Sequence, residues 1–321
     1  MTGRYLAWRL LQVPLAVSGI LLVSFLLIHL APGDPVVALA GEHGDAAYYA
    51  EMRAKFGLDR SLAEQLGVFV ANVARLDLGV SYVLGRPALD VVLERLPATL
   101  LLTGSALVVS TLIGIALGVV AASHAGRGPD VAINLAALTL LATPAFWLAQ
   151  LALLALALHA GWFPIGGMTD PRSSATGLGA IADVARHLLL PMAVLAAGEV
   201  AAIARLTRIG LLDELRQDYV RTARAKGLPE SRVLTRHALP LAMLPVLTVI
   251  GGRVGHLLSG AVLVEMVFGW PGIGRLLLSS VQARDIPVVL GIFLVVGLSV
   301  VFANVMTDLA YVRLDPRIRY R

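Results

Sequence analysis

No cysteine occurs in the 321 residues, which excludes disulfides, thiol catalysis and thiolate metal sites. Charge is also scarce: Asp, Glu, Lys and Arg make up 15% of the chain, against about 25% in an ordinary soluble domain. Lysine is rarest of the four, present only as Lys55 and Lys226. Neither follows a glycine, so the Gly-Lys-Ser/Thr loop that cradles nucleotide phosphates cannot be drawn from this sequence. His-Glu-x-x-His and Gly-x-Ser-x-Gly are missing as well, and with them two familiar hydrolytic sites. No catalytic residue and no metal site is expected.

In place of charge the chain carries apolar residues, 58% of the total. A helix needs about 20 of them to cross the hydrocarbon core. Six runs qualify: Leu10–Leu30, Thr99–Ala122, Val131–His159, His187–Leu206, Ala238–Leu258 and Val288–Tyr311. The expectation is an all-α polytopic membrane protein with six transmembrane helices. Arg4 and Arg9 precede the first run as in a signal peptide. The run continues past Leu30 with no small-residue cleavage site before Pro32, so it reads as an uncleaved span. Residues 1–33 then form the N-terminal end and first helix. Residues 34–97, with both charge signs and helical spacing in Tyr48–Phe56 and Leu62–Leu76, form a small water-exposed helical subdomain. Residues 98–321 form the core, with a polar insert at 208–240. Gly161–Arg186, rich in Gly, Pro, Ser and Thr, reads as a loop. The third run is long and broken by Thr143-Pro144; its halves are too short to cross alone, so one kinked helix is predicted.

Charge orients this arrangement. With six spans, Arg4, Arg9, Arg127, the Arg205–Arg236 insert and Arg313, Arg317, Arg319 and Arg321 share one face. Asp34, Glu42, Asp45, Glu51, Asp59, Glu64, Asp77, Asp90 and Glu94 fall on the other. The positive-inside rule makes the basic face, with both termini, cytoplasmic. It also explains the formal net charge of +5 without nucleic acid as a partner.

The insert is the most informative segment. From Asp213 to Val220 the residues suit a short helix, with Leu211, Leu212, Leu215 and Tyr219 at helical spacing. Asp213, Glu214 and Asp218 come early and Arg221, Arg224 and Lys226 late, which complements a helix macrodipole. Gly227 suits the left-handed residue that ends a helix, and Pro229 reinforces the stop. Glu230–Leu239 then leads helically into the fifth run. Small residues around Ala223 and Ala225 would let a partner surface approach. An ordinary basic loop that only fixes topology is the competing reading.

The spacing resembles the EAA signature of permease subunits in ATP-binding-cassette importers: two small residues, three of any type (here Arg224 to Lys226), Gly, a nine-residue gap, then x-x-Leu-Pro. Here these are Thr222-Ala223, Gly227, Leu228 to Arg236, and His237-Ala238-Leu239-Pro240, with Arg221 in place of the leading Glu and His237 in place of Ile. Tyr219 to Gly227 resembles the dipeptide/oligopeptide/nickel branch. So do His29 to Pro35, Asp77-Leu78-Gly79 with Ser81, Leu96 to Leu100, Phe268 to Gly274 and Leu314 to Ile318. The long segment after the first run is similar to the B-type member of the branch.

That resemblance implies a type I importer permease in a bacterial cytoplasmic (inner) membrane, passing di- or oligopeptides by alternating access. Arg221, Thr222, Ala223, Arg224, Ala225, Lys226 and Gly227 would form the coupling helix. The implied partners are a second homologous permease, two ATPase subunits or domains that hold ATP and Mg²⁺, and an extracytoplasmic binding protein. That binding protein is expected to touch Asp34–Pro97 and Gly166–Gly179. No cofactor is expected on this chain itself. Nickel or glutathione import is the alternative within the branch.

Charges at membrane depth cost at least ~2.5–3.5 kcal/mol each, so they face an interior or a cavity. Glu199 lies within the fourth run, with Arg205 after it. Arg253 and His256 lie in the fifth run, three apart and hence on one helical face. Glu199, Arg253, His256 and Glu265 are candidates for a translocation path or gate. An ion pair between Glu199 and Arg253, and a helix-tethering role for Glu265, stand beside that reading. Outside the transport family, a secondary transporter would use Glu199 and Arg253 as relays and would show inverted repeats; none is seen. A membrane scaffold would need neither these charges nor the breaks at Pro144, Pro191, Pro245 and Gly251-Gly252.

Overall fold

The computed structural model describes residues 14–26, 45–56 and 59–314, apart from the side chains of residues 52, 55, 56, 253–260 and 307–314. Among the described residues the regular structure is helical, with one isolated bridge between Val80 and Pro87. In chain order the helices are α1 (Pro14–Leu26), α2 (Ala46–Phe56), α3 (Leu62–Ala74), α4 (Ala88–Ser123), α5 (Gly128–Ala142) and α6 (Ala145–Ala152). There follow α7 (Leu178–Glu214), α8 (Asp218–Ala225), α9 (Glu230–Arg232), α10 (Leu239–Val267), α11 (Ile273–Gln282) and α12 (Ile286–Leu314). Two π-helical stretches join in: Leu153–His159 continues α6, and Val233–Ala238 links α9 to α10.

Among the described residues, four helical stretches are long and apolar enough to cross a membrane: Ala88–Ser123, Leu178–Glu214, Glu230–Gly252 and Ile286–Met306. A fifth is counted if Gly128–Ala142 and Ala145–His159 form one span. The first apolar run continues on both sides of α1 into residues that lie outside the described ones.

Three expectations are corrected. The third run is not one kinked rod, because its two helices are turned by 103°. Thr143 and Pro144 are both extended, at ψ 121 and ψ 134. Proline lacks an N–H to continue the ladder and forces the residue before it out of the α region. The loop read at Gly161–Arg186 ends at Gly177, since α7 already begins at Leu178. The insert helix begins at Asp218 and not at Asp213; Leu211 and Leu212 belong to the end of α7, and Gln217 is extended.

The chain forms two compact units. The first joins Leu276–Val301 to the described residues before Pro97. Its apolar cluster is Leu21, Val73 and Leu294, with Val17, Phe69 and Leu78 packed around it. Asp285, 2% exposed, accepts the Ser81 hydroxyl and, at 3.1 Å, the Tyr82 N–H. The Asp77–Ser81 segment, singled out by its sequence, is thereby tied to the turn before α12.

The second unit is Pro97–Arg275 with the described residues from Phe302 on. Here α4 and α7 pack through Gly114 and Gly118. A Cβ on Gly114 would lie 2.7 Å from Ile203, and one on Gly118 would lie 2.5 Å from Thr207. The Gly-x-x-x-Gly spacing lets two apolar helices approach to backbone distance. Asp130 at the start of α5, 3% exposed, binds Arg208 of α7 through two bonds, with Arg208 Nη2 at 2.7 Å. The Gly126 N–H at 2.8 Å and the Asn134 amide at 2.7 Å complete its shell.

Candidate functional site

The insert forms a short lever seated on the ends of longer helices. In α8, Val220 is fully buried and Ala223 is 6% exposed. They join Leu211 from α7, Ala122 from α4, Val233 and Ala238 from the π turn and Ala242 from α10 in one apolar cluster. Just above it, α7 crosses α10 closely: a Cβ on Gly210 would sit 3.0 Å from the Ala242 carbonyl. α8 therefore rests on residues of three long helices, α4, α7 and α10.

The stop after α8 is a full Schellman closure. Gly227 stands at φ +75. Its N–H donates to the Arg224 carbonyl at 2.9 Å, and the Leu228 N–H to the Ala223 carbonyl at 3.4 Å. Leu228 then folds back onto the apolar cluster. Arg224 clasps the Glu230 carboxylate with two bonds of 3.0 and 2.6 Å across that turn. Both side chains are about half exposed, so this pair contributes only ~0.2–1 kcal/mol. Full burial of a valine contributes ~1.5–3 kcal/mol; apolar seating dominates.

The sequence-derived coupling residues divide between two faces. Arg221, Thr222, Arg224, Ala225, Lys226 and Gly227 are exposed, whereas Ala223 points into its own chain. The approach surface imagined around both alanines is thus left to Ala225 alone. Tyr219 donates its hydroxyl to Glu214 at 2.6 Å. Burial, and then that hydrogen bond, pushes the phenol above its ordinary range, so it stays protonated as a donor.

Glu265 occupies a second constellation in the same unit, and its side chain is fully buried. Its carboxylate accepts the Thr99 hydroxyl at 2.6 Å and the Arg275 N–H at 3.0 Å. Thr99 in turn accepts the Ile273 N–H at 2.7 Å. Ile273 and Arg275 lie in the first turn of α11, whose leading N–H groups have no intrahelical partners. Side chains from α4 and α10 therefore cap α11 from outside. The Trp270 indole donates to the Ala98 carbonyl at 2.8 Å and is itself fully buried. A Cβ on Gly272 would lie 2.1 Å from the carboxylate, and one on Gly274 would lie 2.5 Å from Val262 Cα. Those contacts account for glycine in the Trp270-Pro271-Gly272-Ile273-Gly274 turn.

Of the remaining candidates, Glu199 is buried in α7 at 4% exposure and Arg205 is exposed. The side chains of Arg253 and His256 lie outside the described ones, so their pairing with Glu199 is not placed. The Asp130–Arg208 pair was missed from sequence. Its signal is an acid directly after Gly128-Pro129, in the first turn of a helix that follows Arg127.

The chain is similar over nearly its whole length to transport permeases. A Brucella ovis protein named as a peptide permease is 39% identical over 98% of this chain and 99% of its own length. The glutathione transport system permease protein GsiC of Escherichia coli O6:H1 is 37% identical over 99% of both chains. DdpB of Escherichia coli K12, named for D,D-dipeptide transport, is 38% identical over 98% of this chain and 96% of its own. Residues 114–320, which include the insert and Glu265, match the model of the binding-protein-dependent transport system inner membrane component; the chain belongs to that family.

Proposed function

We propose that the chain is one permease subunit of an ATP-driven importer that passes di- or oligopeptides across the inner membrane. On this reading it has six spans with both termini cytoplasmic, and works by alternating access beside a second, homologous permease. ATP and Mg²⁺ are held by two partner ATPase subunits. An extracytoplasmic binding protein delivers cargo to the segment between the first two spans and to Gly166–Gly179. The supporting observation is the seating of α8. Its apolar face rests on the ends of three long helices, while Arg221, Ala225 and Lys226 are exposed for a partner. A nucleotide-driven closure of the partner would displace α8, and the shared apolar socket would carry that displacement into α4, α7 and α10.

The test is to purify the chain with its neighbours and reconstitute it in liposomes. Support is co-purification of two ATPase subunits and a second permease, with binding-protein-dependent peptide uptake lost in Arg221→Glu/Lys226→Glu. Uptake by the solitary chain driven by an ion gradient would overturn it. Glutathione is the second reading, prompted by the name of the 37%-identical relative. Ligand identification on the cognate binding protein separates the two cargoes.

A further inference from the structure

In the second unit, α5 is held to its own chain by a narrow strip. Asp130 and Ala137 are buried, and Ile133, Asn134 and Leu140 on the same side are partly so. Val131, Leu135, Leu138 and Leu141 are exposed. The helix packs along α7, yet among the described residues it contributes nothing to the apolar socket that seats α8. Aliphatic contact of so small a width is non-directional and resists sliding weakly.

The first turn of α5 is held in another way. Asp130 accepts four hydrogen bonds from three places: Arg208 Nε and Nη2 on α7, the Asn134 amide within α5, and the Gly126 N–H in the turn after α4. A guanidinium bound through two of its nitrogens fixes direction as well as distance. Arg208 lies three residues before Leu211, which belongs to the socket, and so on the same side of α7. The carboxylate thus ties the end of α4, the start of α5 and the socket end of α7 into one piece. A buried ion pair often adds no net stability over apolar side chains of equal volume; what it supplies here is direction.

At its far end α5 stops at Thr143-Pro144, and α6 turns away by 103°. Ala149 of α6 and Ala157 of its π continuation join the apolar cluster that holds Leu102, Val264 and Trp270. The α5–α6 pair is therefore a strut, with a directional joint at the socket end and an aliphatic seat at the other.

We infer that Asp130 and Arg208 are positioning residues for coupling: their clamp passes a displacement of the α8 socket from α7 into α5, and through α5 into α6. The inference rests on the role proposed for α8 and deepens it, because it extends the moving group to two helices outside the socket.

The test uses the complex purified with its neighbouring subunits and reconstituted with its binding protein. Uptake of a mixture of synthetic di- and oligopeptides and glutathione is measured per ATP hydrolysed. Asp130→Asn and Arg208→Gln should each lower that ratio about 2- to 30-fold, in complexes that still assemble and hydrolyse ATP. The double variant should fall no further than the lower single, because both changes remove one link. A purely structural pair would lower yield and unfolding temperature and leave the ratio unchanged; that result, or additive losses in the double variant, would overturn the inference. Should the single variants fail to fold with a stranded charge, Asp130→Asn/Arg208→Gln strands none and decides alone. A lowered ratio then supports the clamp, and an unchanged ratio refutes it. Uptake independent of ATP in the unsubstituted complex would remove the transport reading itself, which separates that failure from failure of the clamp.

Discussion

The α8 socket and the Glu265 knot both hold a short helix against longer ones, by opposite chemistry. The socket is aliphatic inside and charged outside, with Val220, Ala223 and Leu228 turned in. The knot is polar inside, with Thr99, Glu265 and backbone amides satisfying one another where no water reaches. Aliphatic seating is non-directional and permits a small slide at little cost. A buried hydrogen-bonded network is directional and costly to leave half made. The socket suits a joint through which displacement passes. The knot suits a fixed point.

This contrast can be broken from the knot side first. Glu265→Ala should have the largest effect, because each stranded buried donor costs ~1–3 kcal/mol; it is read as a lowered unfolding temperature in detergent. Gly272→Ala should follow at ~1–3 kcal/mol, since the added carbon overpacks against the carboxylate, and should show the same thermal loss. Val220→Thr should cost ~1–3 kcal/mol locally, by burying a hydroxyl among aliphatic side chains. It should reduce ATPase capture on co-purification while leaving the thermal unfolding of the long helices nearly unchanged. Gly227→Ala meets no neighbouring atom, so only the left-handed backbone opposes it, at ~1–2 kcal/mol. Faster amide exchange over α8 is the expected sign. Arg224→Ala should be mildest, at ~0.2–1 kcal/mol, with uptake kept at moderate salt. If Arg224→Ala were to destabilise the chain as much as Glu265→Ala, the contrast would fail.

What the sequence made legible was local. The insert, the Gly227 stop and the break at Thr143-Pro144 each depend on neighbours within a few residues. The 103° turn did not follow, because proline marks where a ladder ends and tertiary packing chooses the angle. Nor did the inward turn of Ala223, since a small residue suits either face of a helix. Thr99 and Glu265 are 166 residues apart in the chain; periodicity carries no record of such a meeting. Glu265 was named from the sequence as a candidate gate or helix tether, but nothing there named Thr99 as its partner. Arg208 entered the sequence reading as a topological charge, and its partner Asp130 lies 78 residues away in the chain.

Between α8 and α10 the chain winds through the π turn Val233–Ala238. A π turn holds one residue more than an α turn. If the turn were to rewind as α-helix, everything beyond it would rotate by ~100° and advance by ~1.5 Å relative to the insert. Such a bulge is a screw thread: a short axial pull on one side emerges as a rotation on the other, changing which side chains of α10 face inward without bending the helix.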